Sequence, residues 1–166
     1  MLGAPDASVP RVTAALSLLG RRVLHLGPPT SGIKAKLANN YLLAVNNIAT
    51  AEAMRMGVAW GLDPAKLADL INASTGRCWP SEVNNPVPGV VEGAPAGRGY
   101  EGGFGVALMR KDLRLAVEAA VAAGVKARMG EGAREVYEEV VRGGDAGKDF
   151  SVVYRYLGGE ETGREK

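Results

Sequence analysis

Lys36 and Asn40 carry the most specific chemical suggestion in the chain. Spaced by four, they rise from one face of a helix and can reach a single small ligand together. A lysine shielded from water has its charged form disfavoured, which makes it a usable acid–base group. An asparagine beside it offers a polar substrate both a donor and an acceptor. The same spacing also fits a lysine snorkelling from a first helical turn, with asparagines capping neighbouring backbone. A second charged pair, Lys111–Asp112, lies in an apolar context and by itself reads as a solvated face.

The element that positions the first pair runs from 32 to 61, GIKAKLANNYLLAVNNIATAEAMRMGVAWG. It contains no proline and is far longer than an average globular helix. Ser31 or Thr30 can cap its start and Gly61 can end it. At 100° per residue, Lys36, Asn40, Leu43, Asn47 and Thr50 fall on one stripe, while Leu37, Tyr41, Leu42, Val45 and Ile48 cover most of the remaining circumference. A helix this apolar is expected to be buried, and polar residues on its inward stripe then need partners.

Around it the sequence predicts a mainly α-helical chain. Residues 6–19 read as a helix with Pro10 in the first turn, and 22–26 alternate like a short strand. Asp63 caps a helix over 65–73 with Leu67, Leu70 and Ile71 inward. Residues 74–103 are rich in proline and glycine, but Trp79, Val83, Val87, Val90 and Val91 argue for an ordered segment. A third long helix is expected over 104–123, burying Leu108, Leu113, Leu115, Ala116 and Ala119. A fourth covers 129–142 with Val136, Tyr137 and Val140 inward, and 151–157 form a last short helix. No internal repeat is visible.

Composition excludes several classes. The chain has 166 residues, 46% of them hydrophobic, which suits one domain with a sizeable core. Twenty lysines and arginines against eighteen acidic residues give +2, no footprint for nucleic acid. The long helix carries Lys36, Glu52 and Arg55 and is not a membrane span. One cysteine, Cys78, forms no internal disulfide and suits a reducing compartment or the mitochondrial interior. With one histidine besides, no zinc ligand set exists, so no metal is expected. His25 has no visible acid or nucleophile partner and reads as structural. Gly97 to Gly102, GRGYEG, matches a dinucleotide fingerprint by letter but lacks the strand before it. Asn72 begins a glycosylation triplet on a helix end, in a chain showing neither a signal nor a transit peptide at its start.

Three stretches, KLANNYLLAVNNIATAEAM, LDPAKLADLINASTGRCWPSEVNNPVPGV and YEGGFGVALMRKDLRLA, resemble the 3-hydroxyisobutyrate dehydrogenases, a branch of the β-hydroxyacid dehydrogenase family related to 6-phosphogluconate dehydrogenase. The likeness runs from Met1 to about Leu157. The family signature GxGxxxKxxxN is met by Gly32, Lys36 and Asn40, with Thr30 in place of the first glycine. The resemblance implies that Lys36 is the catalytic acid–base group, that Asn40 holds the substrate with Asn39 supporting, and that Gly32 belongs to the substrate loop. It implies that Lys111 contacts the cofactor, NAD, with Phe104 and Asp112 nearby.

The implied reaction is oxidation of 3-hydroxyisobutyrate to methylmalonate semialdehyde in valine breakdown, in mitochondria by family likeness and otherwise in the cytoplasm. Another short β-hydroxyacid such as tartronate is the second expectation, and a non-catalytic helical module that associates with a full-length partner the third. The fold implied is the all-helical C-terminal domain of the 6-phosphogluconate dehydrogenase type. Residues 1–29 are then read as the last helix and strand of a Rossmann domain, 30–158 as the catalytic and dimerisation domain and 159–166 as a disordered tail. With most of the cofactor domain missing, the chain is expected to be inactive alone. A homo-oligomer, a dimer or larger, is expected because the long helix is more apolar than one small domain can cover.

Overall fold

The computed structural model describes residues 1–159; the C-terminal residues read above as a tail lie outside that range except for Gly159. Two compact units make up the chain, Met1–Asn40 and Tyr41–Lys166. Among the described residues there are helices, turns and two isolated bridges, and no sheet.

The first unit opens with a 3-10 turn, Asp6–Ser8, leading into α1 (Val9–Leu16), with Pro10 at its N-terminus where a missing N–H costs nothing. The strand expected over 22–26 is a single rung: Leu2 pairs in parallel with His25. Leu2 N–H donates to Leu24 O at 2.8 Å and Leu26 N–H to Leu2 O at 2.9 Å. His25 Nε2 donates to Ala4 O at 3.0 Å, so the only histidine is spent on this connection. A side chain at Gly32 would press on the backbone of Met1 to Gly3, and one at Gly3 would press back on Pro28, Ser31 and Gly32. The two glycines let these backbones meet.

The long helix α2 is continuous over Ser31–Ala59. In the second unit it buries Ala44, Asn47, Ile48, Thr50, Ala51, Met54 and Gly57, a single stripe rather than the whole circumference expected. Leu42 is 58% exposed and Met56 49%. Helix α3 (Pro64–Ala73) is capped by Asp63, whose carboxylate accepts from Lys66 N–H. It comes close to α2 because position 57 lacks a side chain: a Cβ there would run into Leu67. Leu70, expected inward, is exposed, and Ala68 takes the buried place.

The proline–glycine-rich stretch is ordered. It contains a helical turn, α4 (Trp79–Glu82), and a 3-10 turn, Pro95–Arg98. Asn85 stabilises it twice, donating to Ser81 O and accepting from Val87 N–H, both at 3.1 Å. The GRGYEG letters form a turn with Gly99, Tyr100 and Gly102 in left-handed backbone, and the buried Tyr100 hydroxyl donates to Pro86 O at 3.0 Å. A turn so filled by its own tyrosine leaves no phosphate cradle.

Helix α5 (Val106–Ala122) packs on α6 (Arg128–Arg142). The buried face of α5 is Val106, Met109, Asp112, Leu113, Ala116 and Val117; Leu108, Leu115 and Ala119, expected inside, face solvent. Leu113 and Ala116 are buried as expected, and Asp112 is buried beside them. A 3-10 turn, Phe150–Val152, and α7 (Val153–Tyr156) close the core around Tyr137, Phe150 and Tyr154.

Candidate active site

Lys36, Asn39 and Asn40 stand on consecutive turns of α2 within the first unit. Lys36 and Asn40 are half-buried and Asn39 is exposed. The Asn39 amide donates to Asn40 Oδ1 at 3.3 Å. At the entry to this helix, Thr30 takes a left-handed backbone, φ 77°. This is the place of the signature's first glycine, so the glycine pattern there has a conformational origin. A β-branched residue in that region is strained.

Farther along the same stripe the polar residues are buried in the second unit. Asn47 Nδ2 donates to Tyr137 Oη at 3.0 Å and to Phe150 O at 2.9 Å. Tyr137 Oη donates onward to Ala44 O at 3.1 Å. Burial pushes the Tyr137 hydroxyl far above the ordinary tyrosine range; the hydrogen bond from Asn47 pulls it back a little and the charge of Asp149 raises it further. It is a neutral phenol at any physiological pH. Thr50 Oγ1 lies 3.3 Å from Cys78 Sγ, beside an open cleft lined by Ile71, Thr75 and Arg77. Arg77 is held by Glu82 through two contacts, at 3.0 and 2.6 Å.

The second group of predicted residues lies within the second unit. Lys111 Nζ is 2.8 Å from Asp112 Oδ1, the lysine side chain 49% exposed and the aspartate 2%. The two charges lie within ion-pair distance, the carboxylate buried and the ammonium facing solvent. Phe104 precedes α5, and its ring meets Phe150 edge-on at 6.0 Å. Half-exposed Trp79 stacks on Phe150 at 6.4 Å. The demands a dinucleotide makes of a protein, a cation for phosphate or ribose oxygens and an apolar surface beside it, fit Lys111 and the Phe104 ring.

Sequence reasoning missed Asp149. It is buried, and it holds the turn before α5 from a position more than forty residues later. Its neighbours in sequence, Lys148 and Phe150, gave no sign of this.

The described residues are mainly helical, with Lys36 and Asn40 on α2 and Lys111 on α5. The family model described as NAD-binding of NADP-dependent 3-hydroxyisobutyrate dehydrogenase matches residues 30–157. The chain belongs to this family. It is 46% identical over 157 residues to a probable mitochondrial 3-hydroxyisobutyrate dehydrogenase of Dictyostelium discoideum, covering 95% of this chain and 49% of that protein. It is 44% identical over 162 residues to the mitochondrial 3-hydroxyisobutyrate dehydrogenase of Rattus norvegicus, covering 98% and 48%. Among solved structures, Mycobacterium tuberculosis 3-hydroxyisobutyrate dehydrogenase with L-serine superposes with a TM-score of 0.90 at 38% identity, covering 95% of this chain and 54% of that one. The chain spans about half the length of the curated relatives it matches.

Proposed function

We propose that this chain supplies the proton-transfer half of an NAD-dependent oxidation of 3-hydroxyisobutyrate to methylmalonate semialdehyde. The observation that carries the reading is the Lys36–Asn40 pair, with Asn39 hydrogen-bonded to Asn40, in a chain matched along most of its length to that family. The Asn40 NH₂ is set to hold an oxygen of the substrate, and Lys36 Nζ takes the proton of the substrate hydroxyl as the C–H bond beside it gives up a hydride. Bound NAD supplies the acceptor for that hydride. Lys111, paired with Asp112, offers its ammonium to the cofactor, and Phe104 offers apolar surface. Gly32 belongs to the substrate loop in this reading, and its missing side chain lets the backbone of residues 1–3 pack against the start of α2.

The domain division that goes with this reading sets residues 1–29 apart from a catalytic body over 30–158. The names of the relatives support a mitochondrial location. A homo-oligomer fits the bare outer face of α2 and its neighbourhood, where Leu42, Met56, Trp60 and Leu70 are exposed; sedimentation giving a clean monomer at micromolar concentration would remove that part.

The test is NADH formation from 3-hydroxyisobutyrate by a protein in which this chain follows the cofactor-binding half of the Dictyostelium relative. Turnover that disappears with Lys36→Ala is expected. Turnover unaffected by that substitution would overturn the assignment. A second reading, in which the substrate is another short β-hydroxyacid, is favoured by one observation: the M. tuberculosis structure is named with L-serine, itself a 3-hydroxy acid. Comparing kcat/KM for 3-hydroxyisobutyrate and L-serine in the same protein separates the two.

A further inference from the structure

Asp149 is a buried carboxylate, 1% exposed, in a protein whose proposed chemistry does not use it. Each of its oxygens is claimed by N–H donors. Oδ1 accepts from Asn84 Nδ2 at 3.0 Å and from Ser151 N–H at 2.9 Å, and Oδ2 accepts from Phe104 N–H at 2.8 Å. The backbones on either side are tied as well: Asp149 N–H to Tyr100 O at 2.8 Å, Phe150 N–H to Phe104 O at 2.9 Å and Val106 N–H to Lys148 O at 2.9 Å. An isolated antiparallel bridge, Gly105 to Asp149, lies between them. The turn Gly102–Gly103 is left-handed, φ 74° and 66°, and a Cβ on Gly103 would run into Asp149 Oδ2. The chain has therefore been shaped around this carboxylate on three sides, at the point where α5 begins.

What α5 carries explains why such an expensive group is retained. A buried charge without full hydrogen bonding is costly, and an apolar residue would fill the space without that liability. A carboxylate, unlike any apolar side chain, fixes Phe104 by its amide and so fixes the register in which Lys111, two turns on, leaves the helix. We propose that Asp149 is the positioning residue of the cofactor-side half of the site, holding Phe104 and the start of the Lys111 helix in the geometry that meets a nicotinamide dinucleotide. This rests on the reading of Lys111 and Phe104 as the cofactor face.

The test uses the 166-residue chain, millimolar NADH and the backbone amide signals of Phe104 and Lys111 in heteronuclear NMR. In the unsubstituted chain NADH is expected to shift both signals. Asp149→Asn keeps the shape but turns one acceptor into an NH₂ that faces an N–H donor. It is expected to leave the signals of α2 and α6 in place while weakening the NADH response by about ten-fold, the scale of one charge-assisted hydrogen bond lost. An unchanged NADH response in a folded Asp149→Asn chain overturns the positioning role. Should Asp149→Asn fail to fold, Gly103→Ala decides in the same way, because it displaces the carboxylate without removing it. A silent response in the unsubstituted chain would instead sink the cofactor face itself, and that failure is recognised because it shows before any substitution is made.

Discussion

Asn47 on α2 and Tyr137 on α6 lie ninety positions apart in sequence and are joined by a buried hydrogen bond of 3.0 Å, amide to phenol. The bond closes a three-way junction, because the same amide reaches Phe150 O and the phenol donates a hydrogen bond to Ala44 O.

This junction predicts an alkaline limit to stability. An unfolded tyrosine ionises near 10.0, whereas burial keeps Tyr137 protonated in the fold well above that. Its contribution is therefore fully present below pH 10.0 and is lost as the pH rises further, by up to about 1.4 kcal/mol per pH unit. Denaturant titrations from neutral to strongly alkaline pH should show that slope. Tyr137→Phe should remove this part of it and cost about 1–3 kcal/mol at neutral pH, where it leaves one N–H of the buried Asn47 amide without its partner. A Tyr137→Phe chain with the original alkaline slope would exclude Tyr137 as the source.

Two buried polar side chains in the same region should respond in opposite ways. Asn47→Ala removes two hydrogen bonds and leaves a cavity, so a loss of about 2–4 kcal/mol is expected. Ser151 Oγ, by contrast, is buried with no protein partner among the described residues. Ser151→Ala discards that unsatisfied hydroxyl and should be neutral or slightly stabilising. Thermal unfolding of both variants gives the comparison directly; equal losses would contradict the hydrogen-bond assignments.

Thr30 should be a site of easy stabilisation. With φ at 77°, it sits where glycine costs least, and relieving the strain outweighs glycine's extra unfolded entropy. Thr30→Gly is expected to raise stability by roughly 1 kcal/mol. A fall in the unfolding midpoint would show that the threonine is held by contacts that compensate.

On the proposed function, Lys36→Ala should lower kcat by roughly 10²–10⁴ in the fused protein described above while leaving the helix intact, the range for losing a positioned proton-transfer group. Lys111→Ala should act differently, raising KM for the cofactor more than it lowers kcat, since its ammonium is assigned to binding. Steady-state kinetics with each substrate varied in turn separates the two, and matching profiles would dissolve the division of labour between the lysines.

How far the sequence could be read depended on whether the cause was local. The spacing of Lys36, Asn40, Asn47 and Thr50 put them on one stripe, and Asn47 and Thr50 are indeed buried on it with partners, because helical periodicity needs only neighbours in sequence. Thr30 stood out as a departure from a motif, but only the backbone angle explains it. Leu70 and Leu108 were misplaced because hydrophobic identity says which residues could be buried, not which ones a neighbour covers. Asp149 was invisible for a stronger reason: its burial depends on Asn84, on the left-handed Gly102–Gly103 turn and on Phe104, all brought to it from distant parts of the chain.

The closure of the core by Phe150 also bears on the order of events at the ribosome. Helix α2 can form as soon as it leaves the exit tunnel, yet its buried Asn47 amide must wait for a carbonyl made 103 residues later. Until residues 149–154 emerge, the phenol of Tyr137, the turn before α5 and the aromatic cluster have nothing to close upon. The second unit is therefore expected to reach its native packing only once residues 149–154 have emerged, with the stripe of the long helix that they help to cover exposed in the meantime.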